Sequence, residues 1–214
     1  MNSIVFLIKC FLIGASAAAA VGPVFVLTFN RAALRGFLKG FFTALGAAIG
    51  DGVLLALGLL GALRFVQTST HYHILIDFAG GFLLVLFGIS MIFFNEATTT
   101  DLRPKLTADT LIFATAKTFL STVLNPLTLF FFMFMGTRTL APSLHETSNS
   151  LIIMASVMTG LGSLSVLSVV AYIAHRLGSA ISAESLTTIS IVTGCIMLAI
   201  GSYFFFDAIR IWIG

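Results

Sequence analysis

The stretch Gly46–Gly58, GAAIGDGVLLALG, sets an aspartate, Asp51, in the middle of a long apolar run. No other charged residue stands between Lys39 and Arg64. The run is too long and too continuous for a strand of alternating inward and outward residues, so it reads as a helix. Whether that helix lies in a soluble core or in a bilayer depends on the composition around it.

Of the 214 residues, 58% are hydrophobic and only 9% charged, with a mean hydropathy of +1.10. A soluble domain carries about 25% charged residues. This chain lacks the polar side chains to cover a water-facing surface and reads as an all-α integral membrane protein of one domain, with the lipid bilayer as its solvent. The formal net charge of +3 fits basic loops held at a cytoplasmic surface. No basic run of the kind that nucleic acid requires is present, so no nucleic-acid partner is expected. Cys10 and Cys195 lie in separate apolar segments, form neither a CxxC pair nor a metal-ligand spacing, and read as packing residues. Neither a metal nor a cofactor is expected.

A span needs about 20 mostly apolar residues to cross roughly 30 Å of hydrocarbon. Six segments qualify: Ile4 to Phe29, Phe37 to Leu63, Ile74 to Phe94, Leu111 to Gly136, Leu151 to Ala174 and Thr187 to Ile213. The opening MNSIVFLIKCFLIGASAAAA has the small residues of a signal-peptide cleavage site. Its Lys9, however, interrupts the apolar run instead of preceding it, and VGPVFVLTF continues the run, so it reads as a retained first span. Lys and Arg divide seven to four between the two faces, with Arg31, Arg35, Lys39, Arg103, Lys105, Lys117 and Arg176 on the richer one. The positive-inside rule makes that face cytoplasmic and puts both termini outside.

The polar connection NEATTTDLRPKLTAD, within residues 95–110, separates two blocks of three spans, 1–94 and 111–214. An odd number of spans per block means that any repeat is inverted across the membrane. Gly81 and Gly88 of the third span match Gly194 and Gly201 of the sixth at an offset of 113, and Asp51 matches Ser165 at 114. Pro23 of the first span matches Pro126 of the fourth at 103. Proline inside a helix removes a donor and clashes with the preceding turn, so the freed carbonyls must find partners in protein or in a wet cavity. Paired interruptions of this kind point to a transporter binding site; each proline taken alone reads as a packing kink.

An aspartate at mid-membrane costs roughly 2.5–3.5 kcal/mol on insertion scales. It therefore faces the bundle interior or a cavity, where such residues mark proton, ion or substrate paths. A protonated Asp51 bonded to a neighbouring helix is the structural alternative. Gly46 and Gly50 allow close helix approach. Asn125, directly before Pro126 and with Thr128 close by, either offers a donor and an acceptor to a ligand or caps the restarting helix. The glycine-rich faces suit packing within one chain or a homodimer.

The segment GPVFVLTFNRAALRGFLKGFFTALGAAIGD, residues 22–51, resembles the first signature of the lysine-exporter (LysE/RhtB) family, and LNPLTLFFF, residues 124–132, resembles its second. The likeness runs over nearly the whole chain. It implies six transmembrane helices as two inverted three-helix repeats, in the bacterial inner membrane. The implied activity is export of amino acids or related small metabolites without ATP hydrolysis, by proton antiport with alternating access. No GxxxxGK[ST] loop is present. On this reading Asp51, Asn125, Lys117 and Thr128 bind substrate or protons, while Gly22, Pro23 and Pro126 form helix breaks that line the site. Family members commonly carry lysine after the Asn-Pro, where this chain has Leu127, and Lys117 is the candidate to supply that charge. The rivals are an ion channel and a membrane thiol/disulfide carrier using Cys10 and Cys195. An enzyme is disfavoured, because the deep segments hold one carboxylate and no acid cluster or nucleophile–base pair.

Overall fold

The computed structural model describes residues 3–20, 22–65, 110–136 and 149–177, with scattered positions between 78 and 93 and between 188 and 210. Among the described residues the chain is helical, with no strand. Among the described residues six helices have defined bounds: α1 (Ser3–Ala19), α2 (Pro23–Arg35), α3 (Phe37–Phe65), α4 (Leu111–Val123), α5 (Pro126–Met135) and α6 (Asn149–Leu177). Two are long and apolar enough to span a bilayer alone, over Phe37–Leu60 and Ser150–Leu177. The pairs α1–α2 and α4–α5 each qualify as one span bent at a short break, by 71° and 65°.

Both breaks are built alike, and proline is the reason. Pro23 and Pro126 each take the first position of the restarting helix, where the missing N–H is not required. The residue in front then supplies the first carbonyl: Gly22 accepts from the Val26 amide at 3.1 Å and Asn125 from the Leu129 amide at 3.1 Å. Ahead of the second break, the Asn125 amide still donates to the Thr122 carbonyl at 3.2 Å.

The first span runs further than its hydropathy indicates. Residues 30–35, beyond the span expected to end at Phe29, complete α2, since Ala, Leu and Arg are good helix formers. The chain turns only at Gly36, whose φ of 89° lies in the region glycine adopts without a Cβ penalty, and whose amide donates to the Ala32 carbonyl at 3.0 Å. Helix α3 begins one residue later. As a result Arg31 is helical and only 5% exposed.

Helix α3 is central. Only a narrow stripe of Ile49, Val53, Leu57 and Leu60 is exposed along its middle. It packs lengthwise against α6 and, on another side, against α4; α1 lies along α6, α2 crosses both α3 and α6, and α5 rests on α3. Lipid chains are as apolar as leucine, so such contacts depend on close packing rather than on escape from water. Glycine supplies it at two places. A side chain at Gly46 would run into the Thr115 carbonyl of α4, and one at Gly162 into the Phe11 carbonyl of α1. Hydroxyls stitch the same seams, with Thr115 donating to the Phe42 carbonyl at 2.9 Å and Thr159 to the Cys10 carbonyl at 3.0 Å.

Two apolar clusters fill the bundle. One joins Phe25, Phe29 and Ala32 of α2 to Ala44 and Ala47 of α3 and to Leu167, Ala171 and Ala174 of α6. The other joins Phe6, Cys10 and Ile13 of α1 to Leu54, Leu55 and Leu59 of α3, with Phe132 of α5 and Ile152 and Ala155 of α6. The described positions of the third and sixth segments touch each other: the Phe78 and Phe205 rings are 4.7 Å apart, Gly81 lies against the Gly201 carbonyl, and Gly88 against that of Gly194. The connection 95–109, with Arg103 and Lys105, and the segments holding His71, His73, Arg138 and His145 lie outside the described residues.

Candidate functional site

Asp51 is the fifteenth of the 29 residues of α3, counting from Phe37, and is 6% exposed. On α3 it falls between Ala47 of one apolar cluster and Leu54 and Leu55 of the other. Its Oδ2 accepts a hydrogen bond of 2.6 Å from the hydroxyl of Ser163 on α6, itself fully buried. That short distance is the length of a hydroxyl-to-carboxylate bond, stronger than one between neutral groups. The bond ties together the two long helices at the centre of the molecule.

Helix α4 closes another side of α3 at the same level. The Thr122 side chain packs on Gly50, where an added Cβ would lie 2.9 Å from its Cβ and Cγ2. Thr122 is 2% exposed, and its hydroxyl has no hydrogen-bond partner among the described residues. Buried polar groups are nearly always matched, so an orphan hydroxyl one turn before a helix break and next to the residue preceding Asp51 is a candidate ligand contact. The neighbouring Thr118 differs: its hydroxyl returns to the Ala114 carbonyl of its own helix at 2.9 Å.

The residues expected from sequence are distributed unevenly. Asp51 is central, and the Asn125–Pro126 break follows directly from the helix that carries Thr122. Asn125 and Thr128 are half-buried. Gly22 is half-buried at the other break, where Pro23 opens α2. Lys117 is exposed on α4, beside the face that buries Ala114, Thr118 and Thr122. Ser165, matched to Asp51 by the repeat, turns its hydroxyl to the Gly162 carbonyl of its own helix at 2.7 Å. Cys10 is buried and Cys195 exposed, and both are free thiols.

Sequence reading missed Ser163. A signal was present: Ile152, Ala155, Thr159, Ser163, Leu167, Ala171 and Ala174 recur every three or four residues and form the buried face of α6. Two hydroxyls on an otherwise apolar stripe mark where that face meets polar groups. Thr159 and Ser163 are those two. Among the described residues, no group of three or more His, Cys, Asp or Glu is placed to hold a metal ion.

A helical bundle with two bent helix pairs and a buried, hydrogen-bonded carboxylate has the features of a membrane transport protein. Comparison with known proteins gives the family: the profile of the LysE type translocators matches residues 15–208, and the chain belongs to that family. It is also similar to the uncharacterized membrane protein slr1627 of Synechocystis sp. (strain ATCC 27184 / PCC 6803 / Kazusa), at 23% identity over 187 residues, covering 86% of this chain and 88% of the relative. No solved structure matches.

Proposed function

We propose that the chain is a secondary active exporter of amino acids or related small metabolites, working by proton antiport with alternating access in the bacterial inner membrane, with both termini outside. The observation that carries this is the Asp51–Ser163 bond, buried at the middle of two full-length helices and flanked by a broken one. A carboxyl group there has two compatible states: a neutral one that holds a proton, and a charged one that holds a cationic group of the substrate. Exclusive occupancy of one oxygen pair by either partner is the minimum that antiport requires. The Ser163 hydroxyl donates to the carboxylate, and its rotor accepts instead when the carboxyl is protonated. The Thr122 hydroxyl supplies a neutral oxygen on the α4 side of α3, against Gly50.

The bundle is read as two inverted three-helix repeats, and reciprocal contacts support this. Gly46 meets the Thr115 carbonyl and the Phe119 amide, while Gly162 meets the Phe11 carbonyl and the Ala15 amide. Gly46 and Gly162 differ by 116 residues, and Thr115 and Phe119 each differ from Phe11 and Ala15 by 104. One contact thus becomes the other when the halves exchange. The same holds for Gly81 with Gly201 and Gly88 with Gly194. In this register Asp51 corresponds to Leu167 and Ser163 to Ala47, two residues away from the Asp51–Ser165 pairing expected from sequence. The carboxylate has no twin, so the exporter has one coupling site rather than two.

Efflux from proteoliposomes loaded with a pool of labelled amino acids, with and without an imposed pH gradient, tests this. Wild-type efflux should follow the gradient, and Asp51→Asn should uncouple it. Equal behaviour of the two proteins would make Asp51 a packing residue and remove the mechanism.

A further inference from the structure

Two phenylalanines occupy matching places on the half-helices that follow the breaks. Phe29 is the sixth residue after Pro23 on α2 and Phe132 the sixth after Pro126 on α5, so the offset of 103 that pairs the prolines also pairs the rings. Both are buried, Phe29 at 6% exposure and Phe132 at 0%. Phe25, the other buried ring of α2, matches Thr128, so the reciprocity singles out Phe29. Their surroundings exchange in the same way. Phe29 belongs to the apolar cluster that holds Ala171 and Ala174 of α6. Phe132 belongs to the one that holds Leu55 of α3, and a side chain at Gly58 of α3 would meet its carbonyl at 2.6 Å. Leu55 and Gly58 precede Ala171 and Ala174 by 116 positions, the offset that relates Gly46 to Gly162.

The Asp51–Ser163 bond lies between the two clusters on both of the helices it joins. On α3, Ala44 and Ala47 come before Asp51, and Leu54, Leu55 and Leu59 after it. On α6, Ile152 and Ala155 come before Ser163, and Leu167 and Ala171 after it. The cluster of Phe29 therefore takes the Gly36 side of the bond and the cluster of Phe132 the opposite side. Neither ring belongs to α3 or α6. Each is carried by a short half-helix, of 13 or 10 residues, that follows a bend of 71° or 65°. Such a unit can shift against α3 and α6 by a change at its break, with its internal hydrogen bonds kept. While the ring is seated, a dry apolar constriction bars water and charged solutes, because nothing in it replaces their hydration.

We infer that Phe29 and Phe132 are the two gates of the transport path. Phe29 closes the Asp51–Ser163 site from the face at which α2 ends, and Phe132 closes it from the face at which α5 ends. Alternating access is then the unseating of one ring at a time, each with its own half-helix. This rests on the export function proposed above, to which it adds the two barriers.

Thiol accessibility tests it without any substrate. Ser163→Cys, with Cys10→Ala and Cys195→Ala to remove the native thiols, is exposed to a charged, membrane-impermeant methanethiosulfonate in right-side-out and in inside-out membrane vesicles. Modification should be slow from both faces in this parent. Adding Phe29→Ala should speed it about tenfold from one face, and adding Phe132→Ala should do so from the other face, through a more populated opening on that side. Phe29→Leu and Phe132→Leu keep an apolar side chain and should act in the same directions more weakly, so they carry the test where an alanine variant fails to fold. Acceleration from the same face by both substitutions, or unchanged rates in variants that keep the parent's thermal midpoint, would make the two rings core packing and overturn the gates. The two-faced pattern in a protein that exports none of an amino-acid pool would support the gates and defeat the export function instead.

Discussion

The Ser163 hydroxyl lies 2.6 Å from Oδ2 of Asp51, joining α6 to α3 across 112 positions of sequence. Both residues are buried, and each lies on a helix long and apolar enough to span a bilayer alone. A single hydrogen bond thus links the chemistry of the site to the contact between the halves of the chain. Anything that changes the charge on Asp51 changes the force holding α3 to α6.

Ser163→Ala should leave the fold intact and weaken the function. A hydrogen bond to a charged group is worth about 1.5–3 kcal/mol, so the pH at which gradient-driven efflux is half-maximal should shift measurably. Ser163→Cys should recover part of that shift. Identical pH profiles for wild type and Ser163→Ala would remove the serine from the coupling.

For Thr122→Val the signs of the two effects are opposite. The hydroxyl has no partner, so replacing it with a methyl group removes an unmatched polar atom and should leave stability equal or raise it by up to about 1 kcal/mol. Export should fall, because the lost hydroxyl is offered to the ligand. A loss of both stability and export would show that Thr122 is needed for packing against Gly50 and nothing more.

Gly46→Ala and Gly162→Ala each drive a methyl group into a backbone carbonyl on the neighbouring helix. Overpacking typically costs about 1–3 kcal/mol, and backbone is harder to displace than a flexible side chain. Both variants should melt well below wild type in detergent. Gly36→Ala is the contrasting case, with open space around the new Cβ but a φ of 89°. Its cost should be about 1–3 kcal/mol from backbone strain alone, since φ 89° with ψ 163° is a conformation essentially confined to glycine. Similar destabilisation by Gly46→Ala and Gly162→Ala is the expected outcome of the reciprocal contacts; a benign Gly162→Ala beside a damaging Gly46→Ala would count against them.

Lys117→Gln should change efflux by less than about twofold, as expected for an exposed position remote from a site. Uncoupling of export by this substitution would return Lys117 to the proton path and replace the Asp51–Thr122 geometry with a different one.

Much of the fold was legible because the bilayer imposes it. Hydropathy placed α3 and α6 closely, since an apolar helix of that length has few other environments. The two breaks were legible from Pro23 and Pro126, whose rings forbid an uninterrupted helix whatever surrounds them. Asp51 was legible for a related reason: an isolated carboxylate in an apolar run has to face inward. Harder to read was the end of the first span, because Arg31 and Arg35 suggest a surface while Ala32, Ala33 and Leu34 favour continued helix. Only the burial of Arg31 against α3 settles that competition.

Sequence by itself determined the solvent, the helical class, the two breaks and the depth of one charge, since each follows from local covalent geometry or from the cost of polarity in hydrocarbon. The partner of that charge was decided only by the tertiary structure. Ser163 and Ser165 are indistinguishable by composition and differ by two positions, which on a helix is about 200° of rotation. The close approach of α3 and α6 turns the first toward Asp51 and leaves the second bonded to its own backbone. The burial of Arg31 and the orphan hydroxyls of Thr28 and Thr122 have the same origin, because they depend on which helix faces which.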